Sequence, residues 1–207
     1  MKEKKTQLTI AIPKGFLHEG SYKYLASLGI HFDSLNSENR ELVFYDKKNK
    51  VKGLLVRPND VTVYVEHGSA DLGIVGLDVL KEQIPDVVKL KDLKFGKCKL
   101  VVAVKKESNY RKLKDLPPHS KIATKFVKLA TDFIQKYGLS AEVIKLYGSV
   151  ELAPIVGLSE AIIDLVATGK TLRANNLKVI ETILESSAFL IANPVSYKLT
   201  SQLIDHF

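Results

Sequence analysis

The chain has 207 residues, of which 45% are hydrophobic and 26% are charged, a balance typical of a soluble globular protein and unlike extended disorder. No apolar run approaches the roughly 20 residues that span a bilayer, the N-terminus lacks a signal peptide, and Cys98 is the only cysteine. We therefore expect a cytoplasmic protein without membrane contact, disulfides or a thiolate zinc site. The net charge of +8 fits a solvated lysine-rich surface, an attraction for small polyanions such as nucleotides, or a nucleic-acid groove, although no recognition motif supports the groove.

The first part of the chain alternates short apolar runs with segments of helical spacing. The pattern predicts strands at residues 7–13, 30–32, 41–45, 51–56 and 71–75, and helices at residues 18–28, 61–67 and 78–83. Gly29 and Gly68 lie where two of these helices are predicted to end. Strands that alternate with helices are typical of a mainly parallel sheet with helices on its faces.

A second series of elements follows Pro85. Residues 87–93 and 97–104 are predicted to be extended and to cross between two lobes. After them the pattern predicts strands at residues 121–124, 141–146, 161–166 and 189–192, and helices at residues 127–137, 170–175 and 195–204. We therefore expect an α/β protein of two lobes with a central cleft.

The segment Asp164–Leu172, DLVATGKTL, is predicted to bind a sugar phosphate at the junction of a strand and a helix. Gly169 permits positive φ and a close approach of the backbone to an anion. The amides that follow it lie at a helix N-terminus, where unpaired N–H groups and the helix dipole favour negative charge. Thr168 and Thr171 add hydroxyl donors, Lys170 adds a cation, and the Asp164 carboxylate can accept the hydroxyls of a ribose. The alternative is that Thr-Gly-x-Thr only caps the helix.

Longer stretches resemble one known family. They are VRPNDVTVYVEHGSADLGIVGLDVL, IATKFVKLATDFI and IKLYGSVELAPIVGLSEAIIDLVATGKTLRANNL, and the likeness extends from about residue 8 to about residue 198. These motifs resemble ATP phosphoribosyltransferase, a glycosyltransferase (pentosyltransferase) that catalyses the first step of histidine biosynthesis. The resemblance implies a reaction in which adenine N1 of ATP attacks C1 of 5-phosphoribosyl 1-pyrophosphate (PRPP), giving N1-(5-phosphoribosyl)-ATP and pyrophosphate. Mg²⁺ would accompany the pyrophosphate, with no metal site made by the protein alone.

The same resemblance implies a periplasmic-binding-protein-like (type II) fold. Residues 1–92 and 178–207 would form lobe I on the nucleotide side, and residues 93–177 would form lobe II, which binds PRPP. It also assigns residues to roles, with Lys14, Arg40 and Glu151 in catalysis, Asp164, Ala167, Thr168, Gly169, Lys170, Thr171 and Leu172 in PRPP binding, and Gly15, Arg57 and Asp78 in ATP binding.

Structural alternatives exist for several of these residues. Glu151 could instead satisfy the amides at a helix start, and Asp78 could cap a helix. Arg40 could form a surface ion pair, and Arg57 could pair with Asp60 or with Asp78.

The chain departs from the family pattern at two positions. The family usually has arginine where this chain has Phe16, in KGFL, and Phe189, in SAFLI. Phenylalanine cannot pair with phosphate, so a cationic contact would be missing at each position. Since both changes are from arginine to phenylalanine, the two side chains could lie together as one apolar patch.

The chain length resembles that of the short form of the family. The resemblance then implies a homodimer within a hetero-oligomer, whose other component is a regulatory subunit resembling histidyl-tRNA synthetase. The alternatives are a family member with weakened catalysis, motivated by Phe16 and Phe189, and a two-lobed nucleotide-binding protein without chemistry.

Overall fold

The structure is a computed structural model that describes residues 7–32 and 41–199. Within these ranges the chain forms two compact units, each with its own sheet. The first unit takes the described parts of Met1–Leu80, Ile84–Gly96 and Ser187–Phe207, and the second takes Lys81–Gln83 and Lys97–Ser186.

The first unit contains a six-stranded sheet with the strand order β2-β3-β1-β4-β11-β5. The strands are β1 (Leu8–Pro13), β2 (Val43–Asp46), β3 (Val51–Val56), β4 (Leu72–Gly76), β5 (Val88–Asp92) and β11 (Ala188–Ala192). The helices are α1 (His18–Ser27), α2 (Val61–Glu66), α3 (Leu77–Gln83, whose last three residues belong to the second unit) and α7 (Pro194–Leu199). Strand β1 pairs in parallel with β3 and β4, and the other pairs in this sheet are antiparallel.

Side chains of β1 alternate between the two faces of this sheet, and each face has its own core. Ile10 and Ile12 pack on the face that is covered by Leu25 of α1. Ala11 points to the opposite face, where it packs with Val61 and the rest of a second apolar cluster. Burial on both faces explains why β1 is apolar except for Thr9, as expected for a central parallel strand.

The second unit contains a five-stranded sheet with the order β10-β6-β9-β7-β8. The strands are β6 (Cys98–Lys105), β7 (Ser120–Thr124), β8 (Ala141–Lys145), β9 (Ala161–Val166) and β10 (Leu177–Ser186), and the helices are α4 (Val127–Lys136), α5 (Leu152–Ile155) and α6 (Lys170–Ala174). Strand β7 pairs in parallel with β8 and β9, whereas β6 pairs antiparallel with β9 and β10. Because β7 and β9 are parallel neighbours, the residues that follow them lie at the same edge of the sheet.

Helix α4 is capped by a residue distant in sequence. Phe126 at its N-cap position makes no side-chain cap bond. Instead, the Glu82 carboxylate accepts the amides of Lys128 and Leu129, both at 2.9 Å. The two otherwise unpaired N–H groups therefore gain a charged acceptor. The negative charge of Glu82 also interacts favourably with the positive end of the helix dipole.

The structure differs from the sequence-based expectations at several points. The first sheet has two parallel and three antiparallel pairs and the second has two of each, so both sheets are mixed and the prediction of mainly parallel sheets is corrected. Residues 97–104 do not form a crossover, because β6 lies between β9 and β10 inside the second sheet. Residues 30–32 form no strand, although Ile30 and Phe32 are buried in the core.

Strand β10 was not predicted. Two register shifts, between Val179 and Glu181 and between Thr182 and Leu184, interrupt its pairing with β6. Such bulges break the two-residue alternation by which strands are recognised in a sequence. Because β10 pairs with β6 along its length, the chain returns to the first unit at Ser187 rather than at residue 178, and it leaves that unit after Gly96 rather than after residue 92. The predicted helix at residues 195–204 corresponds to α7 up to Leu199, and residues 200–204 lie outside the described residues.

Candidate active site

The segment Asp164–Leu172 forms a turn from the carboxyl end of β9 into α6. Residues 167–169 are bends between the two elements, and Gly169 has a φ of 71° at the N-cap position of α6. A left-handed conformation of this kind is accessible to glycine without steric cost. An added Cβ would also lie 2.9 Å from Nη1 of Arg173. The backbone conformation and the local space therefore both favour glycine here.

Arg173 holds the turn from the C-terminal side. Its Nη2 donates to the carbonyl oxygen of Thr168 at 3.0 Å, across Gly169. Self-capping is weak at residues 167–171, since the only side-chain bond that the structure gives to their amides is a 3.4 Å contact from Lys170 N to Thr168 Oγ1. Most of the donors in the described turn are therefore available to an anion, which favours phosphate binding over simple helix capping.

A cavity of about 270 Å³ lies at this turn, within the second unit. We call it the turn cavity. It is lined by Glu151, Asp164, Leu165, Val166, Ala167, Thr168, Gly169, Lys170, Thr171 and Leu172. The turn cavity thus brings together all seven residues predicted to bind PRPP and the predicted catalytic Glu151. Ligand sites in α/β proteins collect at the carboxyl ends of strands, as this one does.

The surroundings of Asp164 disfavour its charged form. Its Oδ1 is buried and accepts no hydrogen bond within the described residues. Burial raises the pKa of Asp164, and the charge of Glu151 raises it further, whereas Lys125 and the Leu165 amide oppose the shift. A buried carboxylate oxygen without a donor is costly unless a ligand supplies one.

Lys125 lies beside Asp164, with its Nζ 3.5 Å from Oδ1. It directly follows β7, and Thr124 of β7 is paired with Ile163 of β9, which places Lys125 next to Asp164 at the sheet edge. The sequence analysis did not select Lys125. Its place directly after the predicted strand at residues 121–124 could have indicated it, because that strand runs parallel to β9.

Glu151 occupies the N-cap position of α5 but makes no side-chain cap bond. The alternative in which this carboxylate only satisfies helix amides is therefore not what the structure shows. Glu151 is partly buried and borders the turn cavity.

The residues predicted for the nucleotide side follow three adjacent strands of the first unit. Lys14 and Gly15 follow β1, Arg57 follows β3, and Asp78 lies two residues after β4. Because β3, β1 and β4 are neighbours and run parallel, these positions share one edge of the first sheet. Arg40 lies outside the described residues.

The local settings of these residues differ. Lys14 and Arg57 are exposed, and within the described ranges Arg57 forms no ion pair, with Asp60 or with Asp78. Gly15 has a φ of 74°. Asp78 is 6% exposed, and its carboxylate lies against the backbone of Gly76. Lys14 and Arg57 are therefore accessible cations, whereas the Asp78 carboxylate is buried inside the unit.

The two phenylalanines at arginine positions do not form one apolar patch. Phe189 packs against the cluster of Val61 and Val79 on one face of the first sheet. Phe16 is 63% exposed and belongs to none of the apolar clusters of the described residues. An exposed side chain at the end of β1 has room for a longer cationic replacement.

Two further findings concern the described residues alone. No helix in ranges 7–32 and 41–199 is long and apolar enough to cross a membrane. In the same ranges, no three His, Cys, Asp or Glu side chains are grouped so that they could hold a metal ion.

Comparisons with known proteins agree on one family. The family model described as ATP phosphoribosyltransferase matches residues 57–207. An ATP phosphoribosyltransferase of Thermosynechococcus vestitus is 51% identical, over 97% of this chain and 95% of that protein. The ATP phosphoribosyl transferase (HisG:HisZ) complex from Thermotoga maritima contains a chain that is 34% identical with a TM-score of 0.81, over 97% of this chain and 93% of that one.

A more distant neighbour shows the fold alone. The alkanesulfonate-binding protein SsuA from Xanthomonas axonopodis pv. citri has a TM-score of 0.62 at 15% identity, over 98% of this chain and 70% of that one. The periplasmic-binding-protein-like fold predicted from the sequence is therefore confirmed.

Proposed function

We propose roles for individual residues from the premise that this chain belongs to the ATP phosphoribosyltransferase family. The chain is a pentosyltransferase that condenses ATP with PRPP to N1-(5-phosphoribosyl)-ATP and pyrophosphate, the first step of L-histidine biosynthesis. The observation that carries the residue roles is the turn cavity, where a glycine in a left-handed conformation, two threonines and a partly buried carboxylate converge.

The 5-phosphate of PRPP binds in the turn between Ala167 and Leu172. The backbone of Gly169 lets the phosphate approach the amides that begin α6, and the hydroxyls of Thr168 and Thr171 donate to its oxygens. Lys170 adds a positive charge at the same cavity. The several donors together fix the position of the ribose, so that its C1 is presented in one orientation.

Asp164 accepts the vicinal hydroxyls of the ribose. Its side chain is 21% exposed at the cavity, so the carboxylate can accept substrate hydroxyls, and its Oδ1 has no donor among the described residues. A bond to a charged acceptor in such a setting contributes about 1.5–3 kcal/mol. The carboxylate also places negative charge near the ribose, where positive charge develops as the pyrophosphate departs.

Mg²⁺ enters as part of the substrate, bound to the pyrophosphate of PRPP. The described residues suit this role, since Mg²⁺ in such sites is held by substrate phosphates with one or two carboxylates nearby, and Glu151 is a carboxylate at the turn cavity. Mg²⁺ held there would neutralise the charge that develops on the leaving pyrophosphate. Glu151 orients the ribose and would be the carboxylate nearest to that ion.

The first unit binds ATP and stabilises the departing pyrophosphate. Lys14 and Arg40 supply the catalytic cations, and Arg57 and the turn at Gly15 bind the nucleotide phosphates. Lys14 and Arg57 are exposed at one sheet edge, as this role requires. Asp78 is buried, so its contribution is to shape that edge. Adenine N1 is a weak nucleophile, and its alignment with C1 therefore matters more than proton transfer.

The chain works in a hetero-oligomer. The related structure from Thermotoga maritima is a HisG:HisZ complex, which supports a regulatory partner for this chain. We infer that the partner resembles histidyl-tRNA synthetase, that this chain dimerises within the assembly, and that the assembly is cytoplasmic. Feedback inhibition then resides largely in the partner.

The test is a direct assay of the reaction. Purified chain is mixed with ATP, PRPP and Mg²⁺, with and without the regulatory subunit, and formation of phosphoribosyl-ATP is followed by absorbance. Product that depends on all three components is expected. If no product forms under either condition, the chain is a binding protein or a member with impaired catalysis, and the roles proposed above for catalysis are wrong.

A further inference from the structure

Asp164 faces a conflict between burial and charge. It must be ionised to accept ribose hydroxyls, yet it is largely buried and lies near a second carboxylate, Glu151, and both effects raise its pKa. Among the described residues, Lys125 is the only cation within 4.0 Å of it. The charge that opposes both effects therefore comes from a side chain outside the segment Asp164–Leu172.

Lys125 is held in place by the structure around it. The Oγ1 of Thr124, at the end of β7, donates to the carbonyl of Ile163 at 2.7 Å and accepts the amide of Phe126 at 2.9 Å. The first bond ties Thr124 to the strand that carries Asp164, and the second ties Phe126 to Thr124. The Lys125 ammonium also lies 5.1 Å from the centre of the Phe126 ring, within the range of a cation–π contact.

The distance between Lys125 Nζ and Asp164 Oδ1 determines how the two groups interact. At 3.5 Å, Lys125 Nζ is close enough to attract Asp164 Oδ1 but too far to form a good hydrogen bond with it. Oδ1 therefore keeps its capacity to accept a hydrogen bond. A counter-ion at this distance supplies charge without using up the hydrogen-bonding capacity of the carboxylate.

We propose that Lys125 is a positioning residue for the reaction, whose ammonium keeps the Asp164 carboxylate charged and in place so that the carboxylate can accept the ribose hydroxyls of PRPP. This inference rests on the proposed function of the turn cavity. Lys125 acts through Asp164 and not by contact with the substrate. The groups that face Asp164 are Lys125 from the end of β7 and Glu151 from the start of α5, with Lys170 of α6 at the same cavity.

The first experiment reads Asp164 directly in the ligand-free protein. Aspartate carboxyl carbons are labelled with ¹³C, the Asp164 signal is assigned by its absence in Asp164→Asn, and its titration is followed by NMR. Lys125→Met, which keeps most of the side-chain stem, is expected to move the titration of Asp164 to higher pH. Lys125→Arg is expected to hold it near the wild-type position. The matched control is Lys128→Met, which removes a lysine of the same unit that pairs with Asp132 on the surface.

The second experiment measures PRPP affinity by calorimetry and kcat/KM for PRPP between pH 5.5 and 8.5. Lys125→Met is expected to lose roughly tenfold on the acidic side, with the loss shrinking as pH rises, because an opposite charge at this distance shifts ionisation by about that factor. The double variant with Asp164→Asn is expected to be no weaker than Asp164→Asn alone, and Lys128→Met should keep the wild-type profile.

Other outcomes overturn the inference. A loss that is equal at every pH, or a double variant clearly weaker than Asp164→Asn, would mean that Lys125 contacts the phosphates itself. An unmoved NMR titration in Lys125→Met would mean that the two charges are not coupled. Failure of the proposed function would look different, because wild-type protein would then bind no PRPP while the NMR titration would still report on Lys125 and Asp164.

Discussion

The left-handed turn at Gly169 gives the sharpest test of the turn cavity. Alanine at a φ of 71° costs about 1–2 kcal/mol relative to glycine. Its Cβ would lie 2.9 Å from Nη1 of Arg173, the far end of a flexible side chain, and 3.8 Å from Val166 Cγ1. The guanidinium can move, but it then gives up its bond to the Thr168 carbonyl, which at an exposed site is worth about 0.5 kcal/mol.

Gly138→Ala is a matched control within the same unit. Gly138 has a φ of 61°, and an added Cβ there would meet nothing within 4 Å. It follows α4 and does not border the turn cavity. The control therefore has the same backbone strain without the displacement of Arg173. About 1 kcal/mol corresponds to roughly 2–4 °C in Tm for a chain of this length, so both variants should melt a few degrees lower, with Gly169→Ala lower by about 1–2 °C more.

The decisive measurement is the binding of PRPP by calorimetry, together with the rise in Tm that PRPP produces. We expect Gly169→Ala to bind at least about tenfold more weakly, a change of about 1.4 kcal/mol, because the Cβ and the displaced guanidinium alter the turn that contacts the phosphate. Gly138→Ala should bind like the wild type despite its lower Tm. Equal PRPP affinity in the two glycine variants would show that the turn does not hold the phosphate.

Three further predictions concern other parts of the chain. Phe16→Arg is expected to raise kcat by up to about tenfold by restoring a cation, and an unchanged or lower rate in the absorbance assay would count against a missing catalytic charge. Asp164→Asn should raise the Tm of the ligand-free protein at pH 7 while weakening PRPP binding by roughly tenfold or more. Glu82→Ala should lower the free energy of unfolding by about 1–2 kcal/mol in a urea titration, because the amides of Lys128 and Leu129 lose their acceptor.

The pH dependence of the Asp164 variant follows from the direction of its pKa. Burial raises the pKa of Asp164 in the folded protein above its unfolded value. The native state then binds the proton more readily, so this group lowers stability as pH rises through the folded pKa. The gain from Asp164→Asn should be present at pH 7 and shrink as pH falls through that pKa. A gain that is constant from pH 7 to pH 4 would contradict the burial argument, and an unchanged unfolding curve for Glu82→Ala would contradict the capping argument.

Much of the second unit was predictable because its motifs are local. The strand at residues 161–166 and the turn after it lie where the sequence placed them, since an apolar run followed by a glycine at a helix start is a short-range pattern. The relation between Lys125 and Asp164 was not predictable in the same way. It depends on β7 and β9 being parallel neighbours, which is a property of the whole sheet.

The first unit shows the same limit. The three strands before Lys14, Arg57 and Asp78 were predicted, but the sequence could not show that Asp78 is buried while the other two are exposed. Phe16 and Phe189 each stand where the family usually has arginine, yet Phe16 is exposed and Phe189 packs against a core cluster. Exposure depends on which elements cover a position, and that information is spread over the entire unit.

The two bulges of β10 have a consequence for protein handling. This ten-residue strand lies at the edge of the second sheet, where a long regular strand would offer unpaired backbone groups to other molecules. The register shifts next to Glu181 and Leu184 disrupt that regular spacing, so a second chain cannot pair along the whole strand. The irregularity that hides β10 from sequence patterns thus also protects the protein from edge-to-edge aggregation at high concentration.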